Sequence, residues 1–490
     1  MSTSTEAAAG TAPAAAATRE APTSAASTSA TPTSEAPAPE APVTGPASLP
    51  GDYASLRAHF QPHFDRIAAG ALARELERDL PFAEVRALDE AGFGTLRVPT
   101  EHGGPGASIE TFTRLLIDLA EADSNIAHLY RSHAGFVEAL RFQPEHIQRA
   151  WYPRVLAGQT VGNASTEKAG NRLGTLNTVL TRTASGWQLT GEKFYSTATI
   201  FCDWTRVSAS VAGEDGRCFA AVATDAPGVH VADDWDGFGQ KLTGTGTTTF
   251  DQVAVDDDAV FERVVGTVEA IHEAAFFQLV LLAVLAGIAR AARRDAAATI
   301  AGRTRTFNTG LGLPFREDPL IQEATGRIAA KAYSAEATVL HTARVLDDGI
   351  AAAIAAGADG PDHAVPAPEA VHASEVAVEH AQITVPELAL GAAQDLFLTV
   401  GASATSTSKG LDRHWRNAQT VATHNPIAFR ARAIGDYWIN GTLPEGLNAI
   451  GDAVSKTDAA SAHGTTPAGA VHGQPTTASA AETSGPGAGA

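Results

Sequence analysis

TVLTRTASGWQLTGEKFYST, residues 178–197, alternates polar and apolar positions on both sides of Ser185-Gly186. That period of two is the mark of a strand, and the serine–glycine pair reads as the turn between two of them. The pattern continues outward. TRVSASV (205–211), the turn GEDGR and CFAAVAT (218–224) make a second hairpin, and GTTTFDQVAV (246–255) leads to the acidic DDDAVF. Strands therefore occupy about 161–262.

On either side the period changes. LRAHFQPHFDRIAAGALARELERDL (56–80) carries apolar residues at three- and four-residue spacing, as a helix with one buried face does. PTEHGGPGAS (99–108) is a glycine- and proline-rich loop, and IETFTRLLIDLAEADSNIAHLYRSHAGFVEAL (109–140) reads as one long helix. After 263, long apolar stripes return in 268–303, 319–348 and 371–400. Helices, a compact β region and helices again argue for an α+β chain with separate layers rather than a doubly wound sheet. The expected domains are an N-terminal helical domain at 48–160, a central β-barrel-like domain at 161–262 and a C-terminal four-helix bundle at 263–455.

The ends read differently. Residues 1–47 are almost all Ala, Thr, Ser, Pro, Gly and Glu, and 456–490 are similar. Segments so poor in large apolar side chains do not offset their ordering entropy, so both are expected to be disordered tails. The first tail lacks a basic start followed by an apolar run, and it is poor in arginine, so it reads as neither a secretory signal nor a transit peptide. The longest apolar run, AAFFQLVLLAVLAGIA (274–289), is interrupted by Gln278 and is short for a membrane span, which favours a buried core helix. A formal charge of −20 works against nucleic acid and anionic membranes as partners. Cys202 and Cys218, the two cysteines, give neither a disulfide framework nor zinc spacing, and no metal site is expected. A cytoplasmic protein with free thiols follows.

LTGTGTTTF (242–250) holds only a lone GxG inside strand-like sequence, and its glycines read as bends. More informative is HWRNAQTVATHNP (414–426), a charged helix that stops at His424-Asn425-Pro426. Proline disfavours helical geometry in the residue before it, which leaves His424 near a helix C-terminus. A positive charge is favoured there, so a cap is one reading and a proton donor the other.

The order of elements and three strings together resemble the acyl-CoA dehydrogenase superfamily over roughly 50–450. NASTEKAGN (163–171) and GEKFYSTA (191–198) are similar to its two flavin-facing segments, and LDRHWRNAQ (411–419) to its late helix. An isoalloxazine ring needs a flat apolar wall and a few hydrogen bonds at its polar edge. Asn163, Ser165, Thr166, Lys168, Tyr195, Ser196 and Thr197 are the candidates, against the plainer reading of Ser, Thr and Tyr as ordinary strand residues. The resemblance also implies a glutamate that removes a substrate proton. Asn425 stands at its place, and the alternative position, used by a minority of the family, falls near Phe277. Glu273, a turn upstream, is the fallback.

DDWDGFGQKLTGTGTTTFDQV (233–253) and GLDRHWRN (410–417) resemble the flavin-dependent monooxygenase branch, which includes dibenzothiophene monooxygenase and the dimethylsulfone-utilisation enzymes. What this implies is a two-component enzyme. Reduced FMN (alternatively FAD) comes from a separate flavin reductase and reacts with O2 to a C4a-hydroperoxyflavin, which oxygenates a small molecule, an organosulfur compound by preference. His424 and His128 match the branch's flavin-side histidines, since imidazole is suited in pKa to proton donation. Their plainer readings are a helix cap and a satisfied core histidine. Ser132 stands where dibenzothiophene monooxygenase has tyrosine, Val421 where it has a second histidine and Lys168 where it has asparagine. These departures bear on the substrate. Arg303 or Arg305, with Arg305 preferred, is the candidate for the flavin phosphate. Phe276, Phe277 and Phe307 are candidates for lining the substrate cavity. A homotetramer is the expected assembly. The alternatives are an FAD-containing acyl-CoA dehydrogenase with another base, and a non-catalytic flavin-fold subunit.

Overall fold

The computed structural model describes residues 49–168, 176–184, 186–213, 217–262, 264, 266–304, 306, 310–361 and 365–444. The expected tails at 1–47 and 456–490 lie outside the described residues, as do Arg305 and Phe307.

Five helices come first: α1 (Tyr53–Glu77), α2 (Phe82–Glu90), α3 (Ile109–Ala122), α4 (Ser124–Leu140) and α5 (Glu145–Leu156). The Asp52 carboxylate starts α1 by accepting from the Ser55 amide at 3.0 Å, and Ser108 does the same for α3 through Thr111. The single helix expected over 109–140 is broken at Asp123, whose backbone is extended (φ −155, ψ 111). One Asp123 oxygen caps α4 at Asn125, and the other takes Arg74 of α1 at 3.0 Å. A contact from 49 residues away thus ends α3, while the apolar spacing runs through the break without interruption.

The strands are β1 (Val161–Ala164), β2 (Val179–Thr183), β3 (Gly186–Lys193), β4 (Trp204–Val211), β5 (Arg217–Ala223), β6 (Val229–Val231), β7 (Thr248–Val255) and β8 (Val260–Glu262). They form one eight-stranded sheet, ordered β6-β7-β3-β2-β4-β5-β8, with β1 added in parallel to β4. The quoted stretch supplies β2 and β3, paired antiparallel as the alternation requires. The sheet curls enough for β5 to touch β7. Its inner face, with Val207, Phe219, Phe250 and Phe261, packs on Phe136 and Trp151 of α4 and α5.

The C-terminal layer holds α6 (Val268–Ala301), α7 (Pro319–Ala355) and α8 (Glu369–Val400), followed by the short α9 (Arg413–Ala422) and α10 (Ile427–Asn440). Asp318 caps α7 just before Pro319, a residue suited to the first helical turn. Helix α6 is the centre of the molecule, touching α3, α4, α7, α8 and α9. A helix apolar all round must be covered all round. Leu279, Leu282, Val284 and Leu285 are accordingly buried, each worth about 1.5–3 kcal/mol relative to exposure. By length and composition α6 and α8 are each apolar enough to cross a membrane, but the apolar stretch of α6 is covered by protein.

Candidate active site

Four segments converge beside α4. His128, Arg131, Ser132 and Gly135 follow helical spacing and share one face of that helix. The Ser132 hydroxyl donates to the Thr197 carbonyl, 3.5 Å away in the loop after β3. The Arg131 Nε donates to the Phe277 carbonyl of α6 at 3.0 Å, and its guanidinium lies 4.6 Å from the Phe277 ring centroid. Gly135 is what admits that ring: a Cβ there would sit 2.5 Å from Phe277 Cζ. Phe276, one residue earlier, points away, fully buried and stacked on Phe112 at 5.8 Å, so it belongs to the core and not to a cavity.

Gln240, in the loop between β6 and β7, fixes His128. Its amide nitrogen donates to Ser124 Oγ, so its Oε1 faces His128 Nδ1 at 3.3 Å. The proton therefore sits on Nδ1, and Nε2 is left as an acceptor. Gln240 is itself held by Asn417 of α9, which accepts its backbone N–H at 2.6 Å. Burial, helped by Arg131, brings the His128 pKa down to about 4.

Helix α9 ends at Ala422, and the His424 amide turns back to the Val421 carbonyl at 3.2 Å. His424 is exposed, with the Arg131 guanidinium and His128 within electrostatic reach. Partial loss of hydration and the neighbouring guanidinium lower its pKa from the usual imidazole value. Both histidines are thus neutral near pH 7. Neither ring is favoured as an imidazolium at that pH. Each ring acts instead through a neutral N–H and a lone pair.

Asn425 projects into the bundle, where its side-chain amide donates to Gln278 Oε1 of α6 and to Gln382 Oε1 of α8, the latter at 3.2 Å. It also lines a small pocket of about 20 Å3, room for roughly one water, with Gln278, Leu281, Leu282, Gln382, Pro386 and Ile427. A pocket of the same size lies on the side of α9 that carries His414. Its walls mix Ala120, Ala122 and Ile288 with charged side chains, among them Arg413 and Glu75, that are paired with Asp295 and Arg416, and it is too small for a ring system.

Glu273 does not reach the cleft as a base. Its carboxylate is buried and bridged to Arg206 of β4. The charged groups acting on the two histidines are Arg131 and the histidines themselves, with no carboxylate among them.

In the loops after β3 and before β7 runs a strip of hydroxyls. Thr197 Oγ1 meets Thr245 Oγ1 at 2.9 Å, and that meets Thr243 Oγ1 at 2.7 Å. Asn163 sends its N–H to the Thr197 carbonyl and accepts from Ser165 Oγ at 3.0 Å. The Thr166 carbonyl accepts from the Phe194 amide at 2.7 Å. Ser196 is fully buried, and its Oγ has no hydrogen-bond partner among the described residues. Tyr195 (φ 59), Ala198 (φ 69) and Gln240 (φ 50) all take left-handed backbone, costing about 1–3 kcal/mol each. Such strain collects where side chains must be aimed. The rings of Phe194, Tyr195 and Trp235 pack together, with the exposed Lys168 Nζ 3.9 Å from the Phe194 centroid. An orphaned buried hydroxyl, a line of Thr side chains and an aromatic wall suit a ring with polar and apolar edges, and so fit a flavin.

The structure brings His128, Ser132, Phe277, His424 and Asn425 together, with Thr197 and Asn163 adjoining. Tyr195 and Lys168 lie at the strip's outer end. Arg303 is committed to the Val400 carbonyl and to Ser403 Oγ at 2.7 Å. Sequence reading missed Arg131, Gln240 and Gln382. Gln278 was visible as the one interruption of an apolar run.

Helices, a curled sheet bearing a ring-sized hydroxyl strip, and a helical bundle closing over it define the fold of a flavin-dependent oxidoreductase. Residues 55–159 match the acyl-CoA dehydrogenase N-terminal domain, and 279–429 match the acyl-CoA dehydrogenase C-terminal domain. The chain belongs to the acyl-CoA dehydrogenase superfamily. It is 26% identical over 386 residues to a probable FMNH2-dependent monooxygenase, SfnC, of Pseudomonas putida, covering 77% of this chain and 93% of that one. Among solved structures it is similar to FMN-bound TdsC of Paenibacillus sp. A11-2 (TM-score 0.72, 26% identity, 79% and 98% coverage). It is also similar to the methanesulfinate monooxygenase MsuC of Pseudomonas fluorescens (TM-score 0.72, 25% identity, 79% and 98% coverage).

Proposed function

We propose that this chain is a two-component, flavin-dependent monooxygenase that uses reduced FMN and O2 to oxygenate a small organosulfur compound. The observation that carries the reading is the missing carboxylate. The amide of Asn425 is tied between Gln278 and Gln382, and Glu273 is locked to Arg206, so among the described residues no carboxylate is free there to abstract a proton, and the His128 imidazole, with its pKa of about 4, is a weak base. The dehydrogenase reading lacks its essential group.

Reduced FMN, when bound, supplies the two electrons that activate dioxygen. Ser196, Thr197, Asn163, Ser165, Thr166 and Tyr195 are proposed to hold the ring, with Lys168 and Asn425 flanking it and Arg305 at the phosphate. Neutral His128, its Nδ1–H fixed by Gln240, keeps a lone pair at Nε2. His424 offers an N–H at the cleft wall. Phe277 and the leucines under Asn425 keep bulk water from the reacting atoms. A separate flavin reductase, a cytoplasmic location and a homotetramer complete the proposal. The exposed Leu398, Phe429, Trp438 and Ile439 on α8 and α10 support the last of these.

Stopped-flow mixing of protein and reduced FMN with oxygenated buffer tests the reading. Oxidised-flavin absorbance should return more slowly than for free reduced FMN, and His424→Ala should keep its fold while shortening the delay and releasing more hydrogen peroxide. Reoxidation as fast as in free solution, with either FMN or FAD, excludes the reading.

A further inference from the structure

Arg131 stands beside His128 and His424, and four of its five N–H donors have no partner among the described residues. Its Nε edge is taken by the Phe277 carbonyl and one face by the Phe277 ring. Neither Nη nitrogen has a hydrogen-bond or ion-pair partner among the described residues, and the side chain is only half-buried. Glu273 is the carboxylate within electrostatic reach, and it is already bridged to Arg206. His128 and His424 add no compensating negative charge. Arg131 thus has no ion-pair partner of its own among the described residues, in a chain whose formal charge is −20.

An unpaired guanidinium braced on an aromatic ring, with both Nη nitrogens unpartnered and the residue partly exposed, is built to hold two oxygens of one anion. We propose that Arg131 is the receptor for an oxyanion on the substrate, which makes this site selective for small acidic organosulfur compounds of the alkanesulfinate class over neutral sulfides and sulfones. This inference rests on the monooxygenase reading. A sulfinate suits both demands, because its two oxygens can pair with the guanidinium while its sulfur keeps a lone pair for reaction. The overall balance is methanesulfinate plus O2 plus reduced FMN giving methanesulfonate, water and oxidised FMN. One oxygen atom bonds to sulfur, and the other leaves as water with the two electrons and two protons of the reduced flavin.

Isothermal titration calorimetry tests the assignment, with methanesulfinate and its neutral analogue dimethyl sulfone as probes, with and without oxidised FMN. The wild-type protein should bind methanesulfinate roughly 10- to 100-fold more tightly than Arg131→Gln does, the range expected for charge-assisted hydrogen bonds. Arg131→Lys should fall between them, and dimethyl sulfone should bind weakly to all three. Equal methanesulfinate affinity in wild type and Arg131→Gln overturns the proposal. So does loss of reduced-FMN binding in that variant with methanesulfinate affinity unchanged, which would make the flavin the arginine's partner. Should Arg131→Gln not fold, the wild-type comparison decides, and dimethyl sulfone binding as tightly as methanesulfinate overturns the proposal. Slow flavin reoxidation by the wild type is a separate readout. Its absence removes the monooxygenase reading, whereas its presence without anion discrimination removes only the role of Arg131.

Discussion

Lys193, in β3, and Arg131, in α4, are two cations with opposite surroundings. Lys193, at the end of β3, is fully buried, with Glu167 at 2.7 Å and the Ser165 carbonyl at 3.2 Å. Glu167 in turn accepts from the Asn177 and Thr178 amides and from the Thr178 hydroxyl. Burial draws the Lys193 pKa down to about 8 against the pull of its partner. Every group around it is spoken for, and the effect is to pin the strand segments that carry Asn163 to Thr166 and Phe194 to Thr197. Arg131 has one hydrogen bond, one ring and two open donors. A satisfied buried charge holds a fold in register, whereas an unsatisfied, accessible one waits for something that is not protein.

That contrast is exposed first by stability. Glu167→Gln leaves Lys193 buried without its counter-charge and should cost about 3–5 kcal/mol in urea unfolding. A loss below about 1 kcal/mol would erase the distinction between the two cations.

Protonation gives a smaller and broader effect. His128, His133 and His414 are buried, and burial lowers each pKa from 6.5 to about 4. The unfolded chain therefore takes up these protons first as pH falls, so this stability is complete above about pH 6.5 and is lost as pH falls toward 4. Asp89, whose pKa burial raises to about 7, acts in the opposite sense over an overlapping range, as do Asp347 and Glu379, which burial also raises, while His63 and His424 add to the histidine side. The melting temperature should thus fall between pH 6.5 and 4. A flat or rising profile there would mean that these buried histidines are not held neutral.

The smallest stability effect belongs to Arg131→Gln, which gives up one hydrogen bond and a cation–π contact and should cost about 1–2 kcal/mol. Its consequence lies in anion binding. A loss as large as that of Glu167→Gln would make Arg131 a second structural anchor.

How much of this was legible in the sequence depends on the range of the interactions involved. The alternation in 178–197 fixed β2 and β3 because pleating is local and leaves a period in the sequence. The substitution of Asn425 for a carboxylate could be read by position, and its bonds to Gln278 and Gln382 give that position a physical meaning. The break at Asp123 was hidden, since it depends on Arg74 across the fold while helical spacing continues on both sides. Gln240 and Arg131 were hidden for the same reason. Their partners lie 112 and 146 residues away, and nothing in GFGQKL or HLYRSH marks which polar side chain will face a cleft. The histidines were found as residues, but their protonation was not. The pKa of an imidazole follows the protein packed around it, and that packing is tertiary.

The account's central claim is oxygen transfer at a cleft without a carboxylate base. Supplying the purified protein with reduced FMN, oxygen-18 gas and methanesulfinate, and weighing the product by mass spectrometry, tests it directly. Methanesulfonate carrying one labelled oxygen atom is the predicted result, with little label in enzyme-free controls run under the same conditions. Methanesulfonate whose added oxygen comes from water, or flavin oxidation that yields hydrogen peroxide with no labelled sulfonate, would contradict it.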